Sequence, residues 1–360
     1  MARLKILHIA PMNTSGVPGE LVRAERALGH ESRLVTLFHD RRGYFEDICL
    51  DLAFIDFVGT FWVKRRVSAP ERLQVDNRLR LPDKIPPVWR PHTASERLLV
   101  RLRDRMWQPK IAAAIARYGL DTFDVYQLDG GLDFTRQPHF IPEMHRRGRK
   151  IICCYTGSDL RTRGVIPEID ALSDLNVSVE FDHQALHPHL SHVFFPFDSR
   201  RFRLQPEPLT GRTLRIGHAP TSWAAKGSDV IVPVLQKLSR ERDLEVALIQ
   251  NMPWESAIAL KGSCDIFVDQ IGDLGYGINA LEALAMGIPV ASCLAAGFAA
   301  AYPDHPFIEV QAGTLREALI RLIEDRALRR RLGRQGRAWV EAYHDSRAVV
   351  RRIHQLAGLL

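Results

Sequence analysis

Gly275, Gly277 and Glu282 fall within Gly275-Tyr-Gly-Ile-Asn-Ala-Leu-Glu282-Ala-Leu-Ala-Met-Gly287-Ile-Pro-Val290, shortly after the apolar run Asp265-Ile-Phe-Val-Asp-Gln270. That order predicts a buried strand, a glycine turn opening a helix, an acid one turn inside the helix, and a Gly-Ile-Pro step into the next strand. Glycines let backbone amides approach a ligand closely, the positive end of the helix favours phosphate, and a carboxylate accepts hydrogen bonds from ribose hydroxyls. The set suits a nucleoside diphosphate, and a sugar nucleotide carries all of those groups.

Other residues gather around the same chemistry. Lys226, before Gly227, offers a flexible ammonium that could neutralise charge developing on a leaving diphosphate, although a solvated lysine is the plain alternative. Gly16 lies in the first βα loop, Pro11 to Gly19, where it either faces phosphate or sugar or makes an ordinary turn. Asp159 can accept from an acceptor or sugar hydroxyl, or cap the segment after it. Arg161 and Arg163 are either acceptor-phosphate contacts or surface charge, and Asp269 and Gln270 either orient the Gly275 turn or touch substrate. His183, His187, His189 and His192 form the densest histidine group, and scattered loop histidines describe it better than a metal site does.

Exclusions narrow the class. The chain has no Gly-x-Ser-x-Gly elbow, no Walker A loop and no Asp-x-Asp pair, and Gly16-x-x-Gly19 lacks the third glycine of a dinucleotide fingerprint. The five cysteines are odd in number and lack zinc spacing, so reduced, mostly buried thiols are expected.

These residues need a scaffold, and 360 residues suggest two cores. Strand-like runs at Leu4 to Ala10, Ser32 to Leu37, Phe123 to Leu128, Lys150 to Tyr155, Leu175 to Glu180 and His192 to Phe195 alternate with helical or longer segments, predicting a parallel α/β sheet. The stretch 197–212 is rich in proline and reads as a linker. A second βα series follows, with strands at Leu214 to His218, Leu244 to Ile249, Asp265 to Val268 and Pro289 to Cys293. Its helices include Asp229 to Leu238, Trp254 to Leu260, Ile278 to Met286, Thr314 to Asp325 and Ala327 to Tyr343, and Ser346 to Leu360 continues as a basic amphipathic helix.

The net charge is +7, and residues 61–117 hold 14 Lys or Arg against 5 Asp or Glu, interleaved with Phe61, Trp62, Trp89 and Trp107. Such a surface could meet anionic lipid or an anionic acceptor, or be a solvated helical face over ordinary aromatic core. No recognition helix, zinc finger or RNA-binding signature accompanies the charge, so nucleic acid is not an expected partner. The start, Met1-Ala-Arg-Leu-Lys, runs into strand-like Ile6-Leu-His-Ile without a signal-peptide core, and no apolar run reaches about 18 residues. A cytoplasmic protein is expected, peripheral at the inner membrane face if the basic stretch meets lipid.

With a glycine-helix-Glu motif in its second α/β half, the chain resembles the two-Rossmann (GT-B) glycosyltransferases, and within them the retaining, family-4-type branch. Gly217-His-Ala-Pro-Thr221 with Lys226-Gly227 is similar to the segment that places a lysine at the donor diphosphate. Gly275-Tyr-Gly through Val290 is similar to the Gly-Phe-Gly and Glu-Ala-Met-Ala-x-Gly-x-Pro-Val signature, and Thr156-Gly-Ser-Asp-Leu-Arg161 sits where these enzymes carry a cleft loop. Three positions depart from the pattern, one being Thr156, which occupies the place of a frequent histidine. Leu274 stands where the family has a glutamate, and no arginine occurs between Pro220 and Ala225, where Trp223 stands in its place.

The resemblance implies an α/β fold of two Rossmann-like domains facing a central cleft. The first would span 1–196 and the second 213–342, with a C-terminal helix, 343–360, returning to the first. It implies a donor site of Gly16, Lys226, Gly275, Tyr276, Gly277, Ile278, Asn279 and Glu282, with Lys226 and Asp159 as catalytic groups and neither metal nor cofactor beyond the nucleoside-diphosphate sugar. The implied partners are that donor and a glycan or lipid-linked acceptor bearing a hydroxyl. A non-catalytic nucleotide-sugar binder and a sugar-nucleotide epimerase of the same fold remain alternatives.

Overall fold

The computed structural model describes residues 3–40, 43–53, 85–91, 93–157, 159–205, 213–272 and 275–360. Asp273, Leu274 and residues 61–84, with Phe61 and Trp62, lie outside them. The described chain divides into two units, one holding the residues up to Pro196 together with Ser346–Leu360, the other Phe197–Asp345.

In the first unit seven parallel strands take the order β3-β2-β1-β4-β5-β6-β7. They are β1 (Lys5–Ala10), β2 (Glu31–Thr36), β3 (Ile48–Cys49), β4 (Val125–Asp129), β5 (Lys150–Tyr155), β6 (Leu175–Ser178) and β7 (Leu190–His192). The central strands are near-continuous apolar runs because helices cover both faces of a parallel sheet. In register, Ile9 pairs with Val35 on one side and Leu128 on the other. The chain order reverses between β1 and β4, so the loops after β1, β4 and β5 open on the carboxyl edge beside a topological switch point.

Among the described residues, four α-helices precede the second unit: α1 (Val17–Ala27), α2 (Ala94–Tyr118), α3 (Phe140–Arg146) and α4 (Pro167–Asp170). Gly16, at φ +77°, turns the chain into α1. Thr93 caps α2 by accepting the Glu96 amide at 3.0 Å, and Gly119 ends it at φ +62°. Trp107 of α2 is buried, its indole N–H donating to Ala53 O at 3.0 Å.

The second unit has five parallel strands in the order β12-β11-β10-β8-β9: β8 (Leu214–His218), β9 (Leu244–Leu248), β10 (Ile266–Val268), β11 (Val290–Ser292) and β12 (Ile308–Glu309). Its helices are α5 (Ser228–Glu241), α6 (Trp254–Lys261), α7 (Ile278–Ala285), α8 (Phe298–Ala301), α9 (Leu315–Glu324) and α10 (Arg326–Tyr343). Here the order reverses between β8 and β10, which sets residues 219–227 beside 269–272 at the carboxyl edge. Helix α10 seats α7 through small residues: a Cβ on Gly333 would run into the Gly287 carbonyl, and one on Gly336 would lie 2.6 Å from Leu284 Cδ2.

The expected linker 197–212 begins inside the second unit. Phe197 stacks on Phe202 at 5.0 Å, the Gln205 amide donates to Met286 O at 2.9 Å, and Arg337 Nη1 donates to the carbonyls of Ser199, Phe202 and Ala285. Residues 206–212 lie outside the described residues. The last helix, α11 (Ser346–Leu356), packs in the first unit against α1, where His354 Nε2 faces Glu25 Oε1 at 3.4 Å. The strand expected at His192 to Phe195 ends instead at His192, which pairs with Ser178, the last residue of β6.

Candidate functional site

The loops after β8 and β10 bring a cation, an anion and a helix start together. Lys226 Nζ lies 2.8 Å from Asp269 Oδ1, and Asp269 Oδ2 accepts the Gly277 amide at 3.0 Å. A Cβ on Gly277 would lie 3.4 Å from that ammonium, so Lys226 rests directly on the turn that opens α7. The Asp269 side chain is fully buried and the Lys226 side chain 12% exposed.

The local fold holds this arrangement. His218, at the end of β8, is buried with Nδ1 2.9 Å from Val268 O and Nε2 2.8 Å from Ser228 Oγ. A carbonyl can only accept, so Nδ1 carries the proton and Nε2 accepts from the serine. Burial lowers the His218 pKa, and the ring acts as a neutral strut between β8, β10 and α5. Gly227 sits at φ +63°, and a Cβ there would also lie 2.5 Å from the Ile271 carbonyl oxygen, so both conformation and space call for glycine. Gly275, at φ +79°, needs the left-handed region that glycine reaches without strain. The first amides of α7 have no partner within the helix, and its positive end points the same way.

Glu282 lies one turn further on and is 8% exposed. Its Oε2 accepts from Lys261 Nζ, and its Oε1 faces the Trp254 indole N–H at 3.3 Å. Lys261 also donates to Asn279 Oδ1 at 2.7 Å and sits 5.1 Å from the Phe267 ring, while Asn279 Nδ2 donates to Ala219 O at 3.2 Å. Asn279 thereby ties the loop after β8 to α7.

Besides Lys226 on Asp269 and Glu282 on Lys261 and Trp254, two more residues of the expected donor set have side chains committed to the protein itself. Asn279 bridges Lys261 and Ala219. Tyr276 is stacked on Phe307 at 4.6 Å and edge-on to Trp339 at 5.7 Å, its hydroxyl 3.3 Å from His344 Nε2. Lys261 and Trp254 were not found by sequence reasoning. A lysine ending a helix reads as a solvated partner of the helix dipole, and an aromatic at a helix start reads as core.

Gly16 and Asp159 lie in the first unit, on loops at the carboxyl edge of its sheet. A Cβ on Gly16 would lie 3.5 Å from the Tyr44 ring. The Asp159 carboxylate accepts from the Thr156 amide at 2.9 Å and from Arg163 Nη2 at 3.2 Å, so it latches its own loop. Arg161 is likewise an internal strut, reaching Glu180 at 2.8 Å and Asp182 at 2.5 Å. Burial works against its charge, but the two carboxylates outweigh that and raise its pKa. His183 is spent on Ser178 Oγ at 2.8 Å and Gly157 O at 3.0 Å, and His187 on Asp170 at 2.9 Å. Among the described residues, the group whose atoms could surround a cation is His39, Glu46 and Cys49, within 4.8 Å of one another in the first unit. Cys153, Cys154, Cys264 and Cys293 are buried, and burial pushes the Cys153 thiol up to about 12.

Two all-parallel sheets, each reversing its strand order beside its site loops, define the GT-B class. Residues 232–339 match the family model of glycosyl transferases group 1. The chain is similar in fold to sucrose-phosphate synthase from Thermosynechococcus elongatus, at 14% identity and TM-score 0.63 over 98% of both chains. It is also similar to Anabaena HepE, solved with UDP-glucose, at 11% identity and TM-score 0.58 over 99% of this chain and 100% of that one. A putative UDP-N-acetylglucosamine 2-epimerase from Listeria monocytogenes matches at 12% identity and TM-score 0.54 over 98% and 95%. No curated protein sequence matches. The chain has the two-domain fold of these GT-B glycosyltransferases, and its second unit carries the match to the glycosyl transferases group 1 model. No described helix is long and apolar enough to cross a membrane.

Proposed function

We propose that the protein is a retaining, metal-independent glycosyltransferase that moves a sugar from a nucleoside diphosphate to a hydroxyl acceptor during glycan or glycolipid assembly. The observation that carries this reading is the Lys226–Asp269–Gly277 cluster at the start of α7, with Glu282 one turn beyond it. The diphosphate binds at the α7 amides beside Lys226, which offsets the charge gained by the leaving group as the glycosidic bond breaks. Asp269 keeps that ammonium in place, and Glu282 holds the ribose. In HepE the partner observed in the crystal is UDP-glucose, the ligand class this cluster suits. Lys226 takes the role of the divalent ion in metal-dependent transferases, so catalysis rests on positioning and electrostatics.

The acceptor is proposed to be lipid-linked, with the enzyme lying peripherally on an anionic cytoplasmic surface. Leu98, Leu102 and Met106 recur every four residues on α2 and are exposed, with exposed Arg97, Arg101 and Arg105 alongside them. An apolar stripe edged by arginines suits the headgroup boundary.

Turnover by the purified protein tests the reading. Nucleotide should be released from a donor only when acceptor is present, in a chelator, with the anomeric configuration kept. Conversion of the donor without acceptor would mark an epimerase, and binding without turnover of any donor would mark a binder.

A further inference from the structure

Cys49 ends β3 in register with Thr36, the last residue of β2, so the two side chains share one face at the carboxyl edge of the first unit's sheet. His39, just past β2, and Glu46, just before β3, return to that face. His39 Nδ1 meets Glu46 Oε1, while Glu46 Oε2 accepts from Thr36 Oγ1. The imidazole nitrogen, the carboxylate oxygen and the Cys49 sulfur all lie within 4.8 Å of one another. Ligands bound about 2.0–2.3 Å from a tetrahedral zinc ion are about 3.3–3.8 Å apart, so small rotamer adjustments place all three on one ion.

We propose that His39, Glu46 and Cys49 form an exchangeable zinc site, with water in the fourth position. The donor set selects the metal: imidazole, carboxylate and thiolate together suit zinc, whereas magnesium and calcium take oxygen ligands. The charges close as well, since a thiolate and a carboxylate neutralise a divalent ion and leave the imidazole neutral. Thr36 gives the outer support that metal ligands need by holding the second Glu46 oxygen. Burial raises the Cys49 pKa, so the metal-free protein keeps the thiol protonated and zinc uptake displaces that proton. The His39 side chain is 65% exposed and leaves the ion a path in from solvent. The loop so clasped backs the first βα loop: the Tyr44 ring lies under Gly16, and Phe45 O accepts from Asn13 Nδ2 at 2.7 Å. The transfer step proposed above still needs no metal, because this ion clasps a loop of the first unit and the Lys226 cluster belongs to the second.

Full-length protein stripped with a chelator and titrated with cobalt(II), a spectroscopic stand-in for zinc, tests the site. The wild type should take up one cobalt at micromolar affinity or tighter, with a thiolate-to-cobalt charge-transfer band and the d–d bands of a four-coordinate ion, and zinc should displace it. C49S should lose the charge-transfer band. H39A and E46Q should each weaken binding by at least the roughly tenfold that losing an outer partner costs. Zinc should raise the Tm of the wild type, through binding to the folded state, and leave that of C49S unmoved, while magnesium should raise neither. H39A, at an exposed position, reads the same site should C49S fail to fold. A charge-transfer band that survives in C49S, or wild-type affinity in H39A and E46Q, would put the metal elsewhere and overturn the site. Uptake weaker than micromolar in the wild type, with no shift in Tm, would mean an adventitious ion only and overturn it too.

Discussion

Lys261 donates to Glu282 from a position 1% exposed, so the acid expected to grip ribose is also the counter-ion of a buried cation. The two roles separate by mutation. E282A leaves the ammonium buried without its partner and should destabilise the second unit by about 3–5 kcal/mol. K261M/E282L replaces the pair by apolar side chains and should be close to neutral in stability. Both should lose about 2 kcal/mol of nucleotide affinity, the worth of a hydrogen bond to a charged group. Urea unfolding beside calorimetry reads both quantities. Wild-type stability in E282A would mean that Lys261 reaches water once the acid is gone.

Lys226 is held on Asp269, so it is positioned before any phosphate arrives. K226A should slow transfer by about 10²–10³-fold, the usual effect of deleting one group that stabilises developing charge. D269N should also slow transfer, because it removes the countercharge that keeps the ammonium on the turn, but by less, since Lys226 itself remains. Steady-state rates at saturating donor separate the two. Wild-type kcat in K226A would remove the lysine from the leaving-group role.

Gly333 lies in the middle of α10, where alanine would ordinarily gain about 1 kcal/mol. Its Cβ would strike the Gly287 carbonyl, backbone that cannot swing aside. G333A should therefore destabilise by about 1–3 kcal/mol, the cost of overpacking, and displace α7 with Glu282. A rise in melting temperature would show that α10 can shift without cost.

The alternation of apolar strands and helices made both parallel sheets legible, and Leu214–His218 is matched to the residue because its apolar run is bounded by a basic segment and a loop. Ile48–Cys49 and Ile308–Glu309 escaped because two residues carry no periodicity; their neighbours in the sheet define them. Helix α2 was not singled out because Leu98, Leu99, Leu102 and Met106 face outward and blur its amphipathic stripe. At the site, the glycines and the Lys226 loop could be found by residue type, since φ and charge depend on it. That Lys261 turns inward and that Tyr276 joins an aromatic cluster depend on partners far along the chain, such as Phe307 and Trp339, which no local pattern announces.

The first unit carries a buried charge network with a defined pH signature. His8 of β1 lies 2.9 Å from Asp129 of β4 and 3.0 Å from Glu25 of α1, which also faces His354 of α11. Burial alone would lower the His8 pKa, but Glu25 and Asp129 outweigh it and hold it up to about 10. Burial would likewise raise Glu25, yet His8 and His354 hold it down to about 2. A histidine raised in the fold contributes stability that is complete below its unfolded value of about 6.5 and disappears as pH climbs through 10. A lowered glutamate contributes stability that is complete above about 4.5 and is lost as pH falls toward 2. His192, pushed down to about 4 by burial, adds to the acid loss below about 6.5, because the unfolded chain takes up its proton first. H8Q should cost about 3–5 kcal/mol near pH 6, the penalty for stranding buried carboxylates, and the gap to wild type should close as pH rises from 6.5 to 10. Urea unfolding at half-unit pH steps measures that gap. A difference constant from pH 6 to pH 10 would mean that His8 is neutral in the folded protein.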